Sequence, residues 1–163
     1  MLKKILLVCM AFGLVGLPVG AISEEQKAGI TDNCNTIVEN LKKVQHNDAR
    51  ARVYLGGYYE TILTKFVMPL NLRLVENNLS APELIENQSR IAEVKATFMS
   101  DYVYYQQELE GLVGMDCKKE PEVFYERLEL VRKGRKKVER DVMKMRNLIA
   151  EQVKLVGELK SKI

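Results

Sequence analysis

The chain has 163 residues and a formal net charge of +3, from 25 basic and 22 acidic side chains. That balance argues against bulk electrostatic capture of nucleic acid or of an anionic membrane, and the length allows one domain with a modest core. Tryptophan is absent, a single histidine is present, and glycine and proline become sparse after residue 21, a composition that favours long helices over sheets.

The N-terminus opens Met1-Leu2-Lys3-Lys4 and runs apolar from Ile5 to about Ala21. A positive start, an apolar stretch and the small residues Val19-Gly20-Ala21 are the parts of a secretory signal peptide, expected over 1–21 with cleavage before Ile22. The run from Ile5 to Ile22 is eighteen residues, close to the ~20 that span a bilayer. A retained anchor is therefore the alternative, and an uncleaved N-terminus is the one route by which the chain would meet a membrane. Gly13, Gly16, Pro18 and Gly20 favour cleavage, because they weaken a spanning helix. Cys9 is not a lipidation site, since Val8 rather than a small residue precedes it. Loss of 1–21 leaves 142 residues, with 23 basic and 22 acidic side chains, as one helical domain over 22–163. The expected location is extracytoplasmic: secreted, periplasmic or envelope-associated.

Ser23-Glu24-Glu25-Gln26 is a capping-box pattern that opens the first helix. From there Ile30, Cys34, Ile37, Leu41, Val44, Asp48, Ala51, Leu55, Tyr58 and Ile62 alternate steps of four and three, the seam of a coiled coil. Asp48 is its one charged member, yet the phase survives across it and predicts a continuous helix. Pro69 must kink or break that helix, because its nitrogen cannot donate to the Lys65 carbonyl. Asn77-Asn78-Leu79-Ser80 reads as a turn, and Ser80-Ala81-Pro82-Glu83 as a second capping box. The next helix carries Leu84, Ile91, Phe98, Tyr105 and Leu112 at seven-residue spacing, flanked by Val94, Tyr102 and Leu109. Pro121 opens the last helix, whose seam is Leu128, Val131, Arg135, Val138, Val142, Met145, Ile149, Gln152, Val156 and Leu159. No segment alternates as a strand does. The fold class expected is all-α: an elongated antiparallel three-helix bundle, or coiled-coil hairpin, with helices over 23–78, 81–116 and 121–162.

The two cysteines after residue 21, Cys34 and Cys117, fit one disulfide in an oxidising compartment. A straight hairpin turning between residues 78 and 79 puts Cys34 opposite residue 123, so a bend or the loop around Cys117 must absorb six residues. A disulfide closing this loop stabilises the fold by roughly 4.5 kcal/mol in the chain-entropy model. The same register sets Tyr54, Tyr58 and Tyr59 opposite residues 98–103, and sets Tyr102 and Tyr105 against residues 136 and 133. That brings Tyr58, Tyr102 and Tyr105 toward the basic run containing Arg132, Arg135 and Lys136, a candidate binding patch. An aromatic core layer with a snorkelling arginine is the plainer account of the same residues. Arg135, on the seam, is expected to lay its guanidinium over a tyrosine ring.

Catalytic chemistry finds little to stand on. His46, the lone imidazole, sits beside Asn47 and Asp48 and reads as a solvated or capping residue. No nucleophile turn, phosphate loop, paired-histidine helix or calcium loop is recognisable. No enzyme activity, cofactor or metal is expected. Asn78-Leu79-Ser80 and Asn87-Gln88-Ser89 match the glycosylation sequon and read as coincidence in a chain with a bacterial-type start. The function expected is a non-enzymatic binding, scaffold or spacer module at the envelope or outside the cell, with a protein partner or self-association. The alternative is a holdase-like chaperone for unfolded exported chains.

Overall fold

The computed structural model describes residues 22–161, and the export signal expected over 1–21 lies outside them. Helix α1 spans Glu24–Thr61, and a six-residue π-helical segment, Ile62–Val67, carries it without a break into α2, Met68–Glu76. Helix α3 is Pro82–Val113 and α4 is Pro121–Lys160. No strand occurs among the described residues, and none of their helices is long and apolar enough to cross a membrane. The all-α antiparallel bundle expected from the sequence is what the chain adopts.

Each boundary has a local cause. Ser23 caps α1 through a complete capping box, its hydroxyl accepting from the Gln26 amide at 3.2 Å and its own amide donating to Gln26 Oε1 at 2.9 Å. Pro69 does not break the helix: the turn before it widens to π geometry, and Met68 N–H bonds back five residues to the Leu63 carbonyl. The proline is thereby spared its α-helical clash with Lys65. The helix ends in a Schellman motif. Leu79 N–H returns to the Leu74 carbonyl, Asn78 N–H returns to that of Val75, and Asn78 takes the left-handed φ of 55° between them. The second capping box does not form. Ala81, not Ser80, is the N-cap, since a residue before proline resists helical geometry and Pro82 takes the first helical position.

Of the three long helices, α3 is the central one. It makes the most extensive contact with α4, a lesser one with α1, and α1 meets α4 hardly at all. All five heptad residues of α3, Leu84, Ile91, Phe98, Tyr105 and Leu112, are buried to within 2% of complete exclusion from solvent. One apolar cluster gathers Ile30, Cys34, Leu109, Cys117 and Phe124, while a second gathers Tyr59, Leu63, Ile91, Met145 and Leu148. Cys34 and Cys117 form the expected disulfide across a sequence separation of 83, with Cα atoms 5.7 Å apart. Cys117 reaches Cys34 from the loop after α3, where backbone advances farther per residue than in a helix, and this absorbs part of the register mismatch.

The α1 seam shifts partway along the helix. Ala51 and Tyr58 are exposed, and the residue that enters the core is Tyr59, 1% exposed. A straight α-helix drifts about 20° per heptad against a 3.5-residue repeat. Over the four heptads from Ile30 that approaches the ~100° of one residue, so the buried position moves from Tyr58 to Tyr59.

Candidate binding groove

Because α1 and α4 both pack on α3 and barely touch each other, an open groove of about 840 Å³ runs between them. Its floor is Phe98, Tyr102 and Tyr105 of α3, and Ala51 and Leu55 line the α1 wall. The α4 wall runs from Glu129 to Glu139 and carries Arg132, Lys133, Arg135 and Lys136. The groove thus brings together five of the six candidate patch residues, Tyr102, Tyr105, Arg132, Arg135 and Lys136. Tyr58 is not among its lining, as the seam drift has turned it outward, where its ring leans on that of Tyr59.

The floor is an aromatic column. Tyr59 meets Phe98 edge-on with centroids 6.0 Å apart, and Phe98, Tyr102 and Tyr105 follow at 6.4 and 6.1 Å. Such pairs add to the area they bury, by about 0.5–1.5 kcal/mol each. Tyr105 sits over Gly134 of α4, where a Cβ would come within 3.3 Å of the tyrosine Cβ. Glycine at that point lets the two helices approach closely enough to seal the floor.

A polar clasp crosses the groove. Asp48 on α1 accepts the Tyr105 hydroxyl at 2.6 Å, and Arg135 donates to the same carboxylate twice, at 2.9 and 3.1 Å. Arg135 therefore does not stack on a tyrosine, as the sequence led us to expect. The facing carboxylate offers its planar fork two charge-assisted hydrogen bonds, which are stronger than one contact with a ring. The guanidinium that covers a tyrosine is that of Arg52, 5.5 Å from the Tyr102 centroid. Burial first, and then the bond to Asp48, pushes the Tyr105 hydroxyl well above the usual phenol range. The Asp48 carboxylate likewise raises Arg135. Burial also raises Tyr102.

The cations divide into committed and uncommitted. Arg135 is spent on Asp48, and Arg132 pairs with Glu129 one turn back on its own helix. Lys133 and Lys136 are exposed and form no ion pair among the described residues. Against them the groove sets one acid without an ion partner there, Glu139. The groove is open on its outer side, basic along one wall and aromatic beneath.

The other sequence candidates lie elsewhere. His46 is exposed on α1 outside the groove lining. Asn87, the acceptor of one sequon, is 1% exposed and donates to the Leu148 carbonyl and to Gln152 Oε1, so the second triplet is occupied by packing. No group of acids, histidines or cysteines suited to a metal occurs among the described residues. No protein-family model matches the chain, and comparisons with curated proteins and with solved structures return no match.

Proposed function

We propose that the protein is a non-enzymatic binding module working outside the cytoplasm, with the groove between α1 and α4 as its contact surface. The observation that carries this reading is the groove itself: a concavity of about 840 Å³ over an aromatic floor, with Lys133 and Lys136 uncommitted on its wall. The floor rings are nearly excluded from solvent and set the shape of the concavity, while the apolar area open to an occupant comes from Ala51, Leu55 and Val138 beneath a polar rim. The titratable groups of the clasp are engaged with one another, since Asp48 accepts from both Tyr105 and Arg135. The buried disulfide supports an oxidising compartment, and the 1–21 pattern supports export.

The second reading, a holdase, draws on apolar side chains near the hairpin turn, where Phe66, Leu72 and Val75 are about 60% exposed. One experiment separates the two. A photo-crosslinking residue is placed in the living cell at Ala51 in the groove and, separately, at Leu72 near the turn. A discrete adduct from Ala51 is the result expected of a binding module. A ladder of many adducts from Leu72, with none from Ala51, would favour the holdase and overturn the groove reading. Intact mass of the same exported chain, beginning at Ile22 and two hydrogens short of the dithiol, checks the export and disulfide arms.

A further inference from the structure

We infer that the occupant of the groove is a fourth helix: an acidic, amphipathic segment of a partner protein. This rests on the groove being the contact surface proposed above. The geometry is that of a four-helix bundle with one corner vacant. Helices α1 and α4 flank α3 and meet each other only lightly, joined at the groove by the Asp48–Arg135 clasp, so they stand as neighbours of an unfilled position on the far side of that clasp from α3. Helices in such bundles pack 8–10 Å apart through residues at heptad spacing. The walls offer that spacing: Ala51 and Leu55 lie on the α1 seam, and Val138, half-buried, lies on the α4 seam one turn beyond the Arg135 clasp. Along α4 the lining runs from Glu129 to Glu139, about 15 Å or nearly three turns of a docked helix.

Charge selects the occupant. Arg52, Arg132, Lys133, Arg135 and Lys136 line the groove against Asp48, Glu129 and Glu139. Once Arg135 is set against Asp48 and Arg132 against Glu129, the remaining excess is positive. A basic amphipathic helix would meet like charges on the α4 wall, which costs affinity and slows encounter, whereas glutamates flanking an apolar stripe would meet Lys133 and Lys136. The mode is a helix laid into a groove by its apolar face, with rim charges setting specificity.

The test uses the full exported, oxidised chain and three labelled synthetic peptides of about 18 residues, long enough to hold a helix once docked. One carries leucines at heptad positions flanked by glutamates, the second replaces every glutamate by lysine, and the third scrambles the first. Fluorescence anisotropy is expected to show salt-sensitive binding of the acidic peptide only. The double variant Lys133→Glu/Lys136→Glu is expected to weaken it roughly tenfold or more and to confer binding on the lysine peptide. Both side chains are exposed and free of ion pairs among the described residues, so the helical circular dichroism and melting temperature should not move. Equal binding of the acidic and lysine peptides, or indifference of the acidic peptide to the charge reversal, would overturn the inference. The two levels fail separately. A discrete Ala51 adduct that persists in the charge-reversed protein keeps the groove as a contact surface and removes the acidic helix. Binding of the acidic peptide without any cellular adduct keeps the chemistry and removes the cellular role.

Discussion

The two faces of α3 hold their neighbours by different means. Toward α4 the contact is close and continuous. Gly134 admits the Tyr105 backbone, Asn87 bonds across to Gln152 and to the Leu148 carbonyl, and Arg90 reaches Glu151 at 3.1 Å. Toward α1 the contact is smaller, and discrete devices supplement it: the Cys34–Cys117 disulfide, the Asp48 clasp and the Glu60–Lys95 ion pair. At its start α1 is also tied to α4 by Lys27, which bridges Glu122 and Glu24, the Glu122 bond foremost in raising its amine to about 12. Continuous packing makes α3 and α4 one body; cross-links attach α1 to it. The groove exists because the third side of the triangle, α1 against α4, is packed only lightly.

If that distinction holds, removing the disulfide has the largest effect. Cys34→Ser with Cys117→Ser releases a cross-link over 83 residues and is expected to cost roughly 4.5 kcal/mol in urea unfolding. Hydrogen exchange should show α1 opening first while α3 and α4 stay protected. Uniform loss of protection in all three helices would break the comparison. Next comes Asp48→Ala, which leaves the buried Tyr105 hydroxyl without its acceptor and Arg135 without its carboxylate. About 2 kcal/mol is expected, most of it the orphaned hydroxyl. Arg135→Ala should cost less, since Tyr105 keeps Asp48.

Glycines sharpen the contrast from the other side. A Cβ on Gly134 would meet the Tyr105 Cβ at 3.3 Å and its Cα at 3.4 Å, atoms anchored in a packed helix. Gly134→Ala should therefore lower stability by about 1–2 kcal/mol despite the better helix propensity of alanine. On α1 nothing lies within 4 Å of a Cβ at Gly57, and Gly57→Ala should raise stability by about 0.5–1 kcal/mol. Melting of the two variants side by side reads the opposite signs.

Much of this arrangement was legible in the residues. Heptad spacing located the apolar buried positions of α3 but not Asn87, and the hairpin register set Tyr59 opposite Phe98 and Tyr105 opposite residue 133, next to the Gly134 on which it packs. Polar seam members were the informative exceptions. Asp48 and Arg135 stood out as charges on apolar seams, and each turned out to be the other's partner. Gln152 answers Asn87 in the same way. A register taken from the cysteines rather than from the turn sets residue 48 level with residue 103, and through it with residue 135, so the clasp was within reach of the sequence. The exposure of Tyr58 and the π-helical segment were harder to read. The first requires counting the slow drift of a straight helix against a seven-residue repeat. The second is one of several ways a helix can accommodate Pro69, and local sequence does not choose among them. The open side of the bundle was invisible for a deeper reason: a seam pattern says which face wants a neighbour, not which neighbour arrives.

The smallest expected effect probes a flaw in the tighter interface. Asp141 on α4 is 4% exposed, its Oδ2 has no hydrogen-bond partner among the described residues, and Lys144 stands off at 4.0 Å. Burial foremost, and then the neighbouring Asp101 carboxylate, favours its acid form and raises it above the usual aspartate value. An acid raised in the folded state binds protons more tightly there than in the unfolded chain, so its ionisation opposes folding as pH rises above about 4. Asp141→Asn removes that charge while offering Asp101 an N–H donor, and should raise stability at pH 7 by about 1 kcal/mol. The gain should shrink as pH falls through the unfolded aspartate value of about 4 and vanish below about 3, where the parent carboxyl is protonated in both states. Denaturation of parent and variant across that range supplies the check. A gain independent of pH would mean that the amide improves packing, whereas a loss would mean that the carboxylate is anchored by a cation. Either result would show the α3–α4 interface to be held by more than close apposition of its helices.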